Sequence, residues 1–122
     1  MKIPKTSIPF TYSESKRVFE NNLPIKEAAE SIHKKCGLKI TSSLDYGYYY
    51  RYLITGIGSC RSLSSYTQEY YLENILKDYN NDTEQKRKTL NHFKKLIEKY
   101  EGDKVGSKKK MRLVYEKYIK LV

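Results

Sequence analysis

Apolar side chains recur along the chain at helical spacing. Ile25, Ala28, Ala29, Ile32 and Cys36 stand at offsets 0, 3, 4, 7 and 11, which is one face of a helix. Pro24 suits the first turn of that helix and Gly37 its left-handed stop. Tyr71, Leu72, Ile75, Leu76 and Tyr79 form another such face, opened by Ser65 and Gln68 at capping-box spacing. Asp82 and Gln85 repeat the spacing before Leu90, Phe93, Ile97 and Tyr100. Ser107 precedes a last segment with Met111, Val114, Tyr115, Tyr118 and Leu121 on one side. Shorter signals place a helix from Ser13 to Asn22, with Val18 and Phe19 inward, and one from Ser42 or Ser43 to about Thr55, ended by Gly56 and Gly58. No segment alternates at the strand period. The pattern predicts an all-α protein, a compact bundle of five to six helices. Residues 1–12, with Pro4 and Pro9, read as an extended arm, and 13–122 as a single helical domain.

Residues 46–52 read Tyr-Gly-Tyr-Tyr-Tyr-Arg-Tyr. At about 100° per residue, Tyr46, Tyr50, Leu53, Ile54 and Ile57 fall on one side of the helix. Tyr48, Arg51 and Tyr52 fall on the other, with Tyr49 on the flank. The first set supplies a core face. The second is a surplus of aromatic and cationic surface, suited to bases, phosphates or a protein partner. The alternative is that these tyrosines fill a small core with no Trp and only 3 Phe. The two helices flanking Gly37 make a helix-turn-helix-like pair, in which Ser42, Ser43, Asp45 and Tyr46 would lead into a major groove.

Charge changes the picture more than length does. The 122 residues carry 24 Lys and Arg against 14 Asp and Glu, a formal +10, which favours a polyanionic partner. Lys86-Arg87-Lys88 with Lys94-Lys95 lines one helix. Residues 104–112 hold Lys104, Lys108, Lys109, Lys110 and Arg112 with no acid among them. Such runs are commonly solvated faces, but a cluster opening a helix opposes the helix dipole, and phosphate would relieve that. The candidate contact residues are Ser43, Tyr48, Tyr49, Arg51, Tyr52, Arg61, Lys108, Lys109, Lys110 and Arg112.

Several chemistries find no support. No run of 18 apolar residues exists, so no transmembrane helix and no membrane partner are expected. The first residues, Met1-Lys2-Ile3-Pro4-Lys5, lack a signal-peptide core, and two cysteines, Cys36 and Cys60, make no disulfide framework; a cytoplasmic location follows as the expectation. His33 and His92 have no partner at ligand spacing, and no metal or other cofactor is expected. The acids are scattered, with Asp45 and Glu69 near helix starts, and Gly56-Ile57-Gly58-Ser59 lacks the ending of a P-loop. No catalytic residue is assigned and the chain reads as non-enzymatic.

Gly37-Leu38, Ser43-Leu44-Asp45-Tyr46, the run Arg51–Gly56, the run Glu69–Ile75, Leu90-Asn91-His92-Phe93 and Lys99-Tyr100-Glu101 carry a resemblance. Residues 37–101 resemble a helical N-terminal domain of HNH-type restriction endonucleases and related defence proteins, departing from it in the tyrosines at 48–50. The resemblance implies a specificity or DNA-contacting module, with nuclease chemistry elsewhere. The expected function is therefore nucleic-acid binding, duplex DNA ahead of RNA, in a restriction or defence setting. The alternative is a small phage or mobile-element inhibitor or adaptor that binds a host nucleoprotein such as a CRISPR effector.

Overall fold

The structure, a computed structural model, describes residues 3–102 and 109–122. Helix makes up 78% of it and no strand occurs among the described residues, so the all-helical expectation is met. A 3-10 turn at Lys5–Ser7 leads into α1 (Ile8–Glu20), α2 (Ile25–Cys36), α3 (Ile40–Thr55), α4 (Ser65–Asp78), α5 (Thr83–Gly102) and α6 (Lys109–Ile119). The chain packs as two compact units. One holds the residues up to Tyr52 together with Ile57–Leu63, and the other holds Leu53–Gly56 with Ser64–Val122.

In the first unit the expected arm is not extended, because α1 already begins at Ile8. Pro9 lies in its first turn, where backbone N–H groups have no intrahelical acceptor, so proline starts the helix rather than breaking it. Ser13, expected as a cap, is inside that helix. Ile8, Thr11, Tyr12, Ser15 and Val18 form its buried face. The buried Thr11 and Ser15 hydroxyls are satisfied locally, Thr11 Oγ1 donating to Ile8 O and Ser15 Oγ to Thr11 O, each at 2.8 Å. The second helix matches its prediction: Ala28, Ala29 and Ile32 are buried, and Gly37 closes it with φ 75° while its N–H donates to His33 O. The connector to α3 is shorter than expected. Ser43 caps nothing; its N–H donates to Lys39 O at 2.9 Å within the first turn. The ring of Tyr50 meets those of Tyr12 and Phe19 edge-on, each at 5.6 Å. Gly47 permits close approach to α2, since a β-carbon there would lie 2.6 Å from Ile25 Cγ2.

In the second unit Ser64, one residue before the expected cap, accepts the Thr67 N–H at 3.3 Å. Asp82 caps α5 as predicted, accepting the Gln85 N–H at 3.0 Å. The Gln85 side chain does not complete a capping box. Its Nε2 donates to Ile54 O (3.0 Å) and Thr89 Oγ1 (3.1 Å). His92 Nδ1 lies 2.9 Å from Leu53 O, and because a carbonyl only accepts, Nδ1 carries the proton. Leu53, Leu72, Ile75, Phe93 and Ile97 are buried in this unit, whereas Ile32, expected in the same core, is buried in the first. Each contributes about 1.5–3 kcal/mol by leaving water.

Candidate functional site

From Ser42 to Thr55 every side chain of α3 is buried or half-buried. A helix with aromatic or aliphatic side chains all round tends to be covered all round. Tyr50, Leu53 and Ile54 are buried as the helical period requires. Ser43 and Tyr49 are corrections: both are 0% exposed, and neither reaches the surface where an external ligand would meet it. The Ser43 hydroxyl has no hydrogen-bond partner among the described residues. Ile57 is corrected in the opposite sense. It lies past the helix end and is 70% exposed, because Gly56 at φ 70° has already turned the chain. Of the residues expected to lead into a groove, Ser42, Asp45 and Tyr46 are half-buried and Ser43 is buried.

Tyr48, Arg51 and Tyr52, predicted outward, are half-buried. The cover comes from the segment after Gly56, which doubles back along α3. A β-carbon on Gly58 would strike the Arg51 guanidinium. Cys60 lies close enough to Tyr52 to add to the rise that burial causes in its hydroxyl pKa. Arg61, which is exposed, reaches the neighbourhood of Asp45. Burial pushes the Asp45 carboxyl pKa up, and Arg61 only partly opposes that. The Arg51 guanidinium sits 5.2 Å from the centre of the Tyr48 ring, in cation–π range. Four sequence-predicted residues are thus gathered here, as a folded-in cluster rather than an open face.

The second unit carries an open basic face on one helix. On α5 the buried positions are Thr89, Leu90, Phe93, Leu96, Ile97 and Tyr100. Arg87, Lys88, Lys94, Lys95 and Lys99 are all exposed on the opposite side. Lys88, Lys95 and Lys99 follow one another at helical spacings of 7 and 4, and Arg87 and Lys94 make a parallel edge. Glu84 and Glu98 share this surface, so five cations face two acids. Lys88 pairs with Glu84 at 3.1 Å, an exposed pair of little energetic weight. Lys94 Nζ stands 6.0 Å from the Tyr115 ring centre. The sequence shows most of these residues as a basic run, yet none is among the candidate contact residues named from it. Projecting the run onto a 3.6-residue helix is the signal that finds them.

At the start of α6, Lys109 and Lys110 are exposed, and Lys108 lies outside the described residues. Arg112 is paired within the chain. Its Nε and Nη2 both donate to the Glu101 carboxylate, at 2.7 and 2.5 Å, so its fork is committed to joining α5 and α6. The same hydrogen bonds hold the Glu101 carboxyl below, and the Arg112 guanidinium above, their ordinary pKa values. Among the described residues no group of three His, Cys, Asp or Glu side chains could hold a metal ion, and no helix is long and apolar enough to cross a membrane. No family model, curated protein or solved structure matches this chain.

Proposed function

We propose that this chain is a non-enzymatic nucleic-acid-binding module that holds duplex DNA through the outer face of α5, with Lys109 and Lys110 at its margin. The observation that carries this reading is the exposed basic face of α5, five cations against two acids. From Arg87 to Lys99 it extends about 18 Å along the helix axis. B-DNA presents about one negative charge per 1.7 Å of its axis, so such a face meets several phosphates at once. The contact is electrostatic and reads charge and shape before sequence. The restriction or defence setting is taken from the resemblance at residues 37–101.

A mobility-shift titration across salt tests this, using plain duplex, single-stranded DNA and structured RNA. The triple variant Arg87→Gln, Lys95→Gln, Lys99→Gln should weaken duplex binding regardless of sequence. The slope of log affinity against log salt should fall by about 2–3, at about 0.9 for each phosphate no longer neutralised. Lys5→Gln, on the first unit, is the charge control and should leave the slope in place. A triple variant with the wild-type slope and an intact helical spectrum removes α5 as the contact face.

A further inference from the structure

Asn91 stands at the centre of the exposed face of α5. At about 100° per residue, Arg87 and Lys94 lie about 40° and 60° to one side of it, and Lys88 and Lys95 about 60° and 40° to the other. Glu84 and Glu98 lie within about 20° of the Asn91 line, each about 10.5 Å away along the axis. The cations therefore form two edges, and the asparagine sits in the seam between them. We propose, on the basis of the duplex-binding role given to α5 above, that Asn91 is a base-reading residue set to pair with an adenine in the major groove of duplex DNA.

Among the described residues, no contact accounts for an asparagine at this position. It lies mid-helix, where it caps nothing and costs helix stability relative to alanine. Asn74, also inside a helix, turns its Nδ2 back to Tyr70 O at 2.8 Å. Asn91 is exposed, and among the described residues its amide has no hydrogen-bond partner. The two acids of the seam are placed differently. Glu84 pairs with Lys88 at 3.1 Å, and Glu98 adds to the field that keeps the Arg112 guanidinium protonated. The Asn91 amide is thus the polar group of the seam that is open to a ligand.

Dimensions and hydrogen-bonding capacity set the groove and the base. A helix with its side chains is about 10–12 Å across, and the major groove is about 12 Å wide. With the seam toward the groove floor, the two cationic edges face the phosphates of the two strands. A carboxamide presents a donor and an acceptor side by side. Adenine offers the matching pair in the major groove, an N7 acceptor and an N6 amino donor, whereas guanine offers two acceptors. The phosphate contacts position the helix, and the amide supplies the sequence information that they lack.

The full chain and Asn91→Ala each select duplexes from a pool with a randomised core, and affinity is then measured on the enriched duplex across salt. Wild type should enrich a fixed adenine. Asn91→Ala should lose that enrichment, keep the wild-type salt slope and melt no lower. Replacing the enriched adenine by 7-deazaadenine removes the N7 acceptor and keeps Watson–Crick pairing. That replacement should weaken wild type about fivefold or more, the discrimination of one bidentate pair, and Asn91→Ala little. A chain that binds duplex through α5 but enriches no adenine overturns the role of Asn91 alone. So does an Asn91→Ala variant that selects like wild type, or a wild type indifferent to 7-deazaadenine. A chain that binds no duplex, or whose salt slope ignores the α5 cations, overturns the duplex reading and this role together.

Discussion

Tyr48 and Tyr49 are neighbours in the chain but differ in environment, and that difference is measurable. Tyr49 is 0% exposed, so Tyr49→Ala should cost about 3–5 kcal/mol, as truncation of a buried aromatic does. Tyr48→Ala, at a half-buried ring stacked under Arg51, should cost markedly less in the same chemical-denaturation series. Asp45 predicts a pH effect of definite sign. Its folded pKa is raised, chiefly by burial, so the folded state holds its proton to higher pH than the unfolded state. Stability from this group is full below the ordinary aspartate value and falls as pH rises through the raised one. Asp45→Asn should therefore melt higher than wild type at neutral pH, and the gain should shrink in acid. Tyr118 acts at the other end of the scale. Burial, then the Glu73 and Glu69 carboxylates, push its hydroxyl up to about 12. An unfolded tyrosine ionises near pH 10, so its stabilising contribution is complete below that and is lost as pH approaches 12. Tyr118→Phe should make the alkaline fall of the melting temperature shallower.

Helix ends explain what the sequence makes legible. The boundaries of α2, α4 and α5 lie within a residue or two of the predicted ones, because a left-handed glycine and side-chain caps are local signals. The start of α1 is not legible, since Pro9 reads as a breaker until a first turn is known to precede it. The exposure of α3 is not legible either. Helical period ranks the sides of a helix, but a returning loop decides how many sides are covered, and Gly58 against Arg51 is a contact that no spacing rule contains. The basic face of α5 is legible, because buried and charged positions alternating at helical spacing fix its orientation. Gly56 offers a test at this scale. It holds φ 70°, and a β-carbon would stand 2.6 Å from His92 Nε2. Gly56→Ala should destabilise by more than the roughly 1 kcal/mol of backbone strain alone, because His92 must also move. Gly56→Ala made in His92→Ala should cost less than in wild type, which a double-mutant cycle reads directly.

At the scale of the molecule, chain order and packing order disagree. Leu53–Gly56 belongs to the second unit although residues on both sides of it belong to the first. A fragment spanning 64–122 lacks the Ile54 and Leu53 carbonyls that accept from Gln85 and His92. It should be less stable than a fragment spanning 53–122, by about 2 kcal/mol or more from reduced burial and two missing acceptors, as parallel denaturant titrations would read. The same interleaving has a consequence for synthesis on the ribosome. The partners of Leu53 and Ile54 in α5 are made roughly 30–40 residues after them, a wait of about 2–8 s at ordinary elongation rates. During that interval a finished tyrosine helix ends in a bare aliphatic turn. The pace at which residues 57 to 92 emerge from the ribosome therefore sets how long a nascent chain carries an adhesive patch.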